Sequence, residues 1–186
     1  MATVSNVSVG KPNVNGWIFA APKGTTPPTD ATTALASAFV NMGYISEDGY
    51  VQSIETDTEE IRAWGGDTVL TEQSGYAETH TVNFIETNTD TLKVIYGASN
   101  VTETNGVITV HSTGKALEEH VVVIELVLTG GRIKRVVIPR AKIADRGGDI
   151  TYDDTTAIAY PAVFSASPNS NGDYHIEYIA AVQASA

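Results

Sequence analysis

The chain contains no cysteine, so neither a disulfide framework nor a thiolate metal site is available to it. Charged residues are scarce, at 18% of 186, and the shortage falls on one side: 11 Lys and Arg stand against 22 Asp and Glu, a net charge of −11. A deficit of basic residues argues against a protein that holds nucleic acid by neutralising phosphates. No apolar run reaches transmembrane length, and the opening MATVSNVSVGKP has neither a basic n-region nor an apolar h-region. The protein is therefore expected to be made and kept in the cytoplasm, without a membrane partner. Internal repeats and low-complexity tracts are missing too.

What is present is β-prone. Thr is frequent and hydrophobic residues reach 42%, which favours strands and a genuine core in a chain of single-domain length. The stretch Val121–Ile143 stands out: VVVIELVLT and RIKRVVIPRAKI flank Gly130-Gly131. A Gly pair between β-branched runs predicts a hairpin, because a tight turn that follows strand twist needs positive φ. With the pair as a two-residue turn, Leu128 falls opposite Ile133 and Ile124 opposite Val137. Both faces of this hairpin are largely apolar, whereas a half-exposed hairpin alternates. Its second face is expected to be covered by another copy of the protein.

Residues 1–29 are punctuated by Gly and Pro and read as an extended arm, with Trp17-Ile18-Phe19 as its docking residues. Residues 30–186 read as a single domain. Thr29 or Asp30 caps a predicted helix whose stripe is Leu35, Ala38, Phe39 and Met42 and whose end is Gly43. A second helix is predicted over Thr89–Tyr96, capped by Asn88 or Asp90 and stopped by Gly97. Strands are expected through 50–86, with the acidic part Glu55–Glu60 as a loop or long exposed hairpin. More are expected at 106–111, 150–152, 156–166 (Pro161 on an edge or at a bulge) and 174–178. The fold class is mainly β: an antiparallel β-sandwich or barrel-like domain with one or two flanking α-helices.

Candidate chemistry is thin. His80, His111, His120 and His175 have no partners at metal-ligand spacing, and each sits in strand-like alternation. Asp153-Asp154 lacks the spacing of a calcium loop and reads as a carboxylate turn. Gly65-Gly66-Asp67 and Gly147-Gly148-Asp149 do not open helices after strands and read as turns or bulges. Ser165 and Ser167 lie outside any nucleophile elbow. The expectation is no enzyme, no cofactor and no metal. The charge map says more. Arg132, Lys134, Arg135, Arg140, Lys142 and Arg146 make up six of the eleven basic residues, while Glu47–Glu60 holds six acids and no base. Complementary patches of this kind steer identical subunits together.

The run Glu59–Val69 (EEIRAWGGDTV) resembles a segment of the major tail (tail tube) proteins of long flexible-tailed bacteriophages. So does the order of the blocks around it: Gly43-Tyr44-Ile45-Ser46-Glu47-Asp48-Gly49, the helix running into Gly97, RIKRVVIPRAKI, an Ala-Ile-Ala-Tyr strand and a Tyr-His-Ile-Glu-Tyr end. The resemblance covers about residues 17–179 and rests on order and spacing, with no single diagnostic motif. It implies a structural virion protein whose hexameric rings stack into a tube through which the genome passes during ejection. It also implies a tape measure protein and a tail terminator as partners, and assembly in the host cytoplasm. The interface residues expected are Glu55, Asp57, Glu59 and Glu60 on one side, Arg132, Lys134, Arg135, Arg140 and Lys142 on the other, with Trp17 on the arm. Charge reversal at Arg135, Arg140 and Lys142 is expected to weaken assembly and spare the fold. The competing readings are a capsid or tail decoration protein, a carbohydrate-binding β-sandwich module and the inner tube of a contractile system.

Overall fold

The computed structural model describes residues 2–13 and 17–181. Its strands are β1 (Gly10–Pro12), β2 (Ile18–Pro22), β3 (Val40–Asn41), β4 (Ile45–Arg62), β5 (Thr68–Phe84), β6 (Val101–Thr104), β7 (Val107–Val110), β8 (Glu119–Leu128), β9 (Ile133–Asp145), β10 (Tyr160–Ala166) and β11 (Ile176–Ala180). One α-helix, α1 (Thr89–Tyr96), follows β5. All pairings are antiparallel, and the main sheet runs β3-β2-β8-β9-β10-β5-β4, with β6 and β7 forming a separate ribbon. The fold is mainly antiparallel β, sandwich-like, with one helix on its flank.

The two ends of the sheet are consecutive in sequence. β3 ends at Asn41 and β4 begins at Ile45. Four residue steps span at most about 14 Å, so the sheet must curl until its ends nearly meet. Gly43 makes this junction possible: its φ is 77°, and a Cβ there would lie 2.4 Å from Glu86 Cδ. Glu86 Oε1 is in place because it accepts from Tyr44 N at 2.7 Å.

The curled sheet encloses the main core, built from Ile18, Met42, Val82, Phe84, Val122, Ile124, Val136, Ile138 and Phe164. Helix α1 adds Leu92, Val94 and Ile95 to it. The helix starts where the side chain of Asn88 accepts from Thr91 N at 2.8 Å and ends at Gly97 with φ 95°. Both signals are local, and the predicted boundaries hold.

The β8–β9 hairpin forms with both glycines at positive φ, 83° and 77°. Its register is one residue away from expectation. Leu128 N donates to Arg132 O, and Ile124 pairs with Val136 rather than Val137. The loop is therefore Thr129-Gly130-Gly131, and a slip of one residue exchanges the faces of the whole second arm. Val136 and Ile138 join Val122 and Ile124 in the main core. Val137 and Arg135 join Val121, Val123 and Glu125 on the other side.

That other side is covered by the chain itself and not by a second copy. A smaller core packs Val121, Val123, Val137 and Ala21 against Phe39, with Phe19, Leu35 and Tyr178 around it. The segment that supplies Leu35 and Phe39 is not the predicted helix. It is an irregular strap, because Phe39 enters the smaller core while Met42 enters the main core on the opposite face of the sheet. No single helical stripe can serve both faces. Asp30 turns the chain instead, its Oδ1 accepting from Thr32 N and Thr33 N at 2.7 and 2.6 Å.

The segment read as a docking arm docks on the chain's own sheet: β1 pairs with Leu126–Leu128 and β2 with His120–Ile124 of the same strand β8. Pro161 pairs with Asn83, just before the bulge at Val163/Phe164 where the ladder between β10 and β9 begins. Ile150–Tyr152, expected as a strand, is irregular. Gly147 and Gly148 precede it, and Asp153, which accepts from Thr155 N and Thr156 N, follows it.

Candidate assembly interface

β4 and β5 are the longest strands, 18 and 17 residues, and their outer halves reach beyond the body as an exposed hairpin. The acidic stretch predicted as a loop or long hairpin is the latter. Outward from the pair Ile54↔Glu78, no residue of either strand is buried. At the tip, Ala63 N donates to Asp67 O and Gly66 N to Ala63 O, so Gly65-Gly66-Asp67 is a hairpin turn that leaves Trp64 fully exposed. Ile54, Ile61, Val69, Leu70 and Tyr76 are also large apolar residues left open along it.

Alternation divides its charges between two faces. Glu55, Asp57 and Glu59 share one face with Glu72, the cross-strand partner of Glu59, and with the pair Ile61↔Leu70. Glu60 lies on the other face, where it accepts from Arg62 Nη2 at 2.9 Å and from Thr68 Oγ1 at 3.1 Å. The row of three acids continues past a bulge at Asp57/Thr58. Opposite Asp57 stands Gly75, where a Cβ would lie 2.9 Å from Asp57 Oδ2. β4 is also the last strand of the sheet, so its outer edge pairs with no described strand.

The basic block sits differently from the expectation. Arg135 is 3% exposed and cannot meet another subunit. Its Nε donates to Glu125 Oε1 at 3.0 Å and its Nη1 to Asp30 O at 2.8 Å. The clustering of basic charge in the sequence offered Arg135 as an interface residue, whereas the fold turns it inward onto Glu125. Lys134 Nζ lies 2.6 Å from Glu177 Oε1. Arg140 grips Glu119 through Nε and Nη2, at 3.2 and 2.9 Å, and Lys23 approaches the same carboxylate at 3.0 Å. Those hydrogen bonds, Arg140 first, hold the Glu119 carboxyl down at about 2 and push the Arg140 guanidinium up. Arg132 Nη2 donates to Ser8 Oγ at 2.5 Å, and Arg146 lies 4.6 Å above the Tyr96 ring. Lys142 stands across the ladder from Glu119. Trp17 is half-buried against the main core, and its carbonyl accepts from Glu125 N at 2.7 Å.

At the root of the hairpin is a cluster that sequence reasoning missed. Glu78 is 1% and His80 0% exposed. Glu78 Oε1 accepts from Gln52 Nε2 at 2.9 Å and lies 2.6 Å from His175 Nδ1; its Oε2 accepts from Tyr76 Oη at 3.0 Å. Tyr50 Oη is 2.6 Å from His80 Nδ1. Burial pulls the His80 imidazole down to about 4 against the opposing pull of Glu78, and it pushes the Tyr50 phenol up. The available signal was the i, i+2, i+4 series Tyr76, Glu78, His80 leading into Val82 and Phe84 on one strand face. Its partner His175 is distant in sequence. Among the described residues, no three of His, Cys, Asp and Glu are placed to hold a metal ion, and no helix is long and apolar enough to cross a membrane.

Comparison with curated proteins yields no match to the chain. A family model described as phage tail tube protein matches residues 7–184. That span takes in the curled sheet, the strap and the protruding hairpin alike, and on that coverage the chain belongs to the phage tail tube protein family.

Proposed function

We propose that this structural tail protein assembles as hexameric rings that stack into the tail tube and conduct the phage genome during ejection, with no catalytic step. The observation that carries the reading is the β4–β5 hairpin. A free subunit leaves Trp64, Ile61, Val69 and Leu70 in water on a ribbon that no other described part of the chain covers. Such a ribbon, on a sheet whose last edge is open, fits a head-to-tail contact that repeats from copy to copy. Glu55, Asp57, Glu59 and Glu60 would enter that contact from the hairpin side. Of the basic block, Arg132 and Lys142 would face them; Lys134 and Arg140 are held by Glu177 and Glu119 of the same chain, and Arg135 is buried. An acidic subunit also suits a conduit along which phosphates slide without sticking. A tape measure protein inside the tube and a terminator at its end are the further partners in this reading, with assembly in the host cytoplasm.

Negative-stain electron microscopy of the purified protein tests it. Hollow tubes or sixfold rings are the expected result. Featureless monomers at high concentration overturn the reading, and a trimer that only decorates a preformed lattice replaces it with the decoration role.

A further inference from the structure

We infer that Glu78, His80 and His175 form a proton-operated clamp that fixes how the β4–β5 hairpin leaves the body. Position is the first argument. Glu78 is the last buried residue of β5 toward the tip, and its neighbours across the ladder, Ile54 and then Thr56, are already exposed. β10 ends its pairing with β5 at Ser165↔Thr79, so beyond that point β5 loses its strand partner on the inner side. The lead-in to β11 meets it there: Tyr174 packs against Tyr76 with ring centroids 4.5 Å apart and planes tilted by 53°, and His175 reaches Glu78. The clamp thus joins the hairpin root to the segment before β11, and β11 is itself paired along β9.

Charge is the second argument. The Glu78 side chain has no solvent contact, and a buried carboxylate without a counter-charge is strongly unfavourable. Every group facing it can be named. β4 offers Tyr50 and Gln52, β5 offers Tyr76 and His80, and the lead-in to β11 offers Tyr174 and His175. Beyond His175 comes Glu177, 3.9 Å from its Nε2 and itself held by Lys134 of β9. β10 contributes the neutral Phe164 beside His80. Among the described residues, only the two imidazoles can supply a positive charge to Glu78. His80 Nε2 lies 3.1 Å from Glu78 Oε1 yet lacks hydrogen-bond alignment, and its burial favours the neutral ring. His175 is 20% exposed in its side chain and can exchange a proton with solvent. The clamp is closed while Glu78 and His175 hold one proton between them. It loosens when that proton leaves, because Gln52 and Tyr76 still donate to the buried carboxylate but supply no opposing charge.

Hydrogen exchange of the unassembled full-length subunit, normalised to intrinsic rates, reads the clamp directly. Amides of residues 54–58 and 74–78 should lose about tenfold or more of their protection between about pH 6 and pH 9 in the wild type. Glu78→Gln keeps the shape without the charge and should stay protected at both pH values. His175→Gln keeps a donor that never charges and should show weak protection at both. A His175→Gln profile identical to that of the wild type overturns the inference, and because His175 is partly exposed, that variant is informative even if Glu78→Gln does not fold. The link from clamp to assembly rests on the proposed function, but this readout does not: pH-dependent protection without tubes retains the clamp and removes the tube, and tubes with pH-independent protection do the reverse.

Discussion

Arg135 and Glu125 face each other across the β8–β9 ladder beneath the strap of residues 30–39, with Nε 3.0 Å from Oε1. Asn13 Nδ2 occupies the second carboxylate oxygen at 3.2 Å, and Asp30 O takes another guanidinium proton. The pair is part of the fold. Removing the cation leaves a buried carboxylate, so Arg135→Ala should cost about 3–5 kcal/mol in chemical denaturation. Lys142→Gln, in the same block, should cost less than about 1 kcal/mol. Equal effects would mean that Arg135 is not buried as described.

Gly43→Ala places a methyl against the Glu86 carboxylate and forces a positive φ on a residue that resists it. Displacing Glu86 also uncaps Tyr44 N. A loss of about 2 kcal/mol is expected from thermal melts. A variant as stable as the wild type would show that the junction between the two ends of the sheet is slack.

Acid should weaken the subunit in two stages. His80 titrates at about 4 when folded against 6.5 normally, so the unfolded chain binds the extra proton and stability falls as pH drops from 6.5 toward 4. Asp30 is held at about 2 against 3.8, first by the Thr33 hydroxyl and then by the Thr33 and Thr32 amides. Its contribution is present above 3.8 and is lost as pH falls toward 2. Glu119, held at about 2 against 4.5, acts in the same direction over a similar window. Melting temperatures measured from pH 7 to pH 2.5 should decline throughout, and Asp30→Asn should flatten the lower part of the curve.

Trp64→Ala removes a fully exposed side chain at the hairpin tip. Stability should change by no more than about 0.5 kcal/mol. The concentration at which tubes appear by light scattering should rise several-fold, and unchanged assembly would place the hairpin tip outside the contact.

How much of this was legible in the sequence depended on whether each signal was local. Asn88 and Gly97 bracket α1 by contacts within a few residues, and the Gly130-Gly131 turn announces itself. The register of that hairpin does not, because β8 and β9 are apolar on both faces and offer no parity to fix it. Leu35, Ala38, Phe39 and Met42 mimic a helical stripe, yet the strap carries Phe39 and Met42 to opposite sides of the sheet, which only the tertiary fold decides. Glu55, Asp57 and Glu59 were visible as an acidic stretch, a loop or a long exposed hairpin, and the pairing of β4 with β5 decides for the hairpin. The Glu78 cluster was hidden, since it joins β4, β5 and the lead-in to β11, segments that become neighbours only where β10 stops.

Lys134 on Glu177, Arg135 on Glu125 and Arg140 on Glu119 turn much of the basic block onto the chain's own carboxylates. What the subunit shows to its copies is correspondingly anionic, at a net charge of −11. An ordered stack of such bodies is a polyelectrolyte, and each added copy must gather counter-cations from solution as it arrives. Raising salt from 0.1 M to 1 M shortens the screening length from about 10 Å to about 3 Å, which relaxes the net repulsion between copies and at the same time weakens the proposed contact between the acidic hairpin and the basic block.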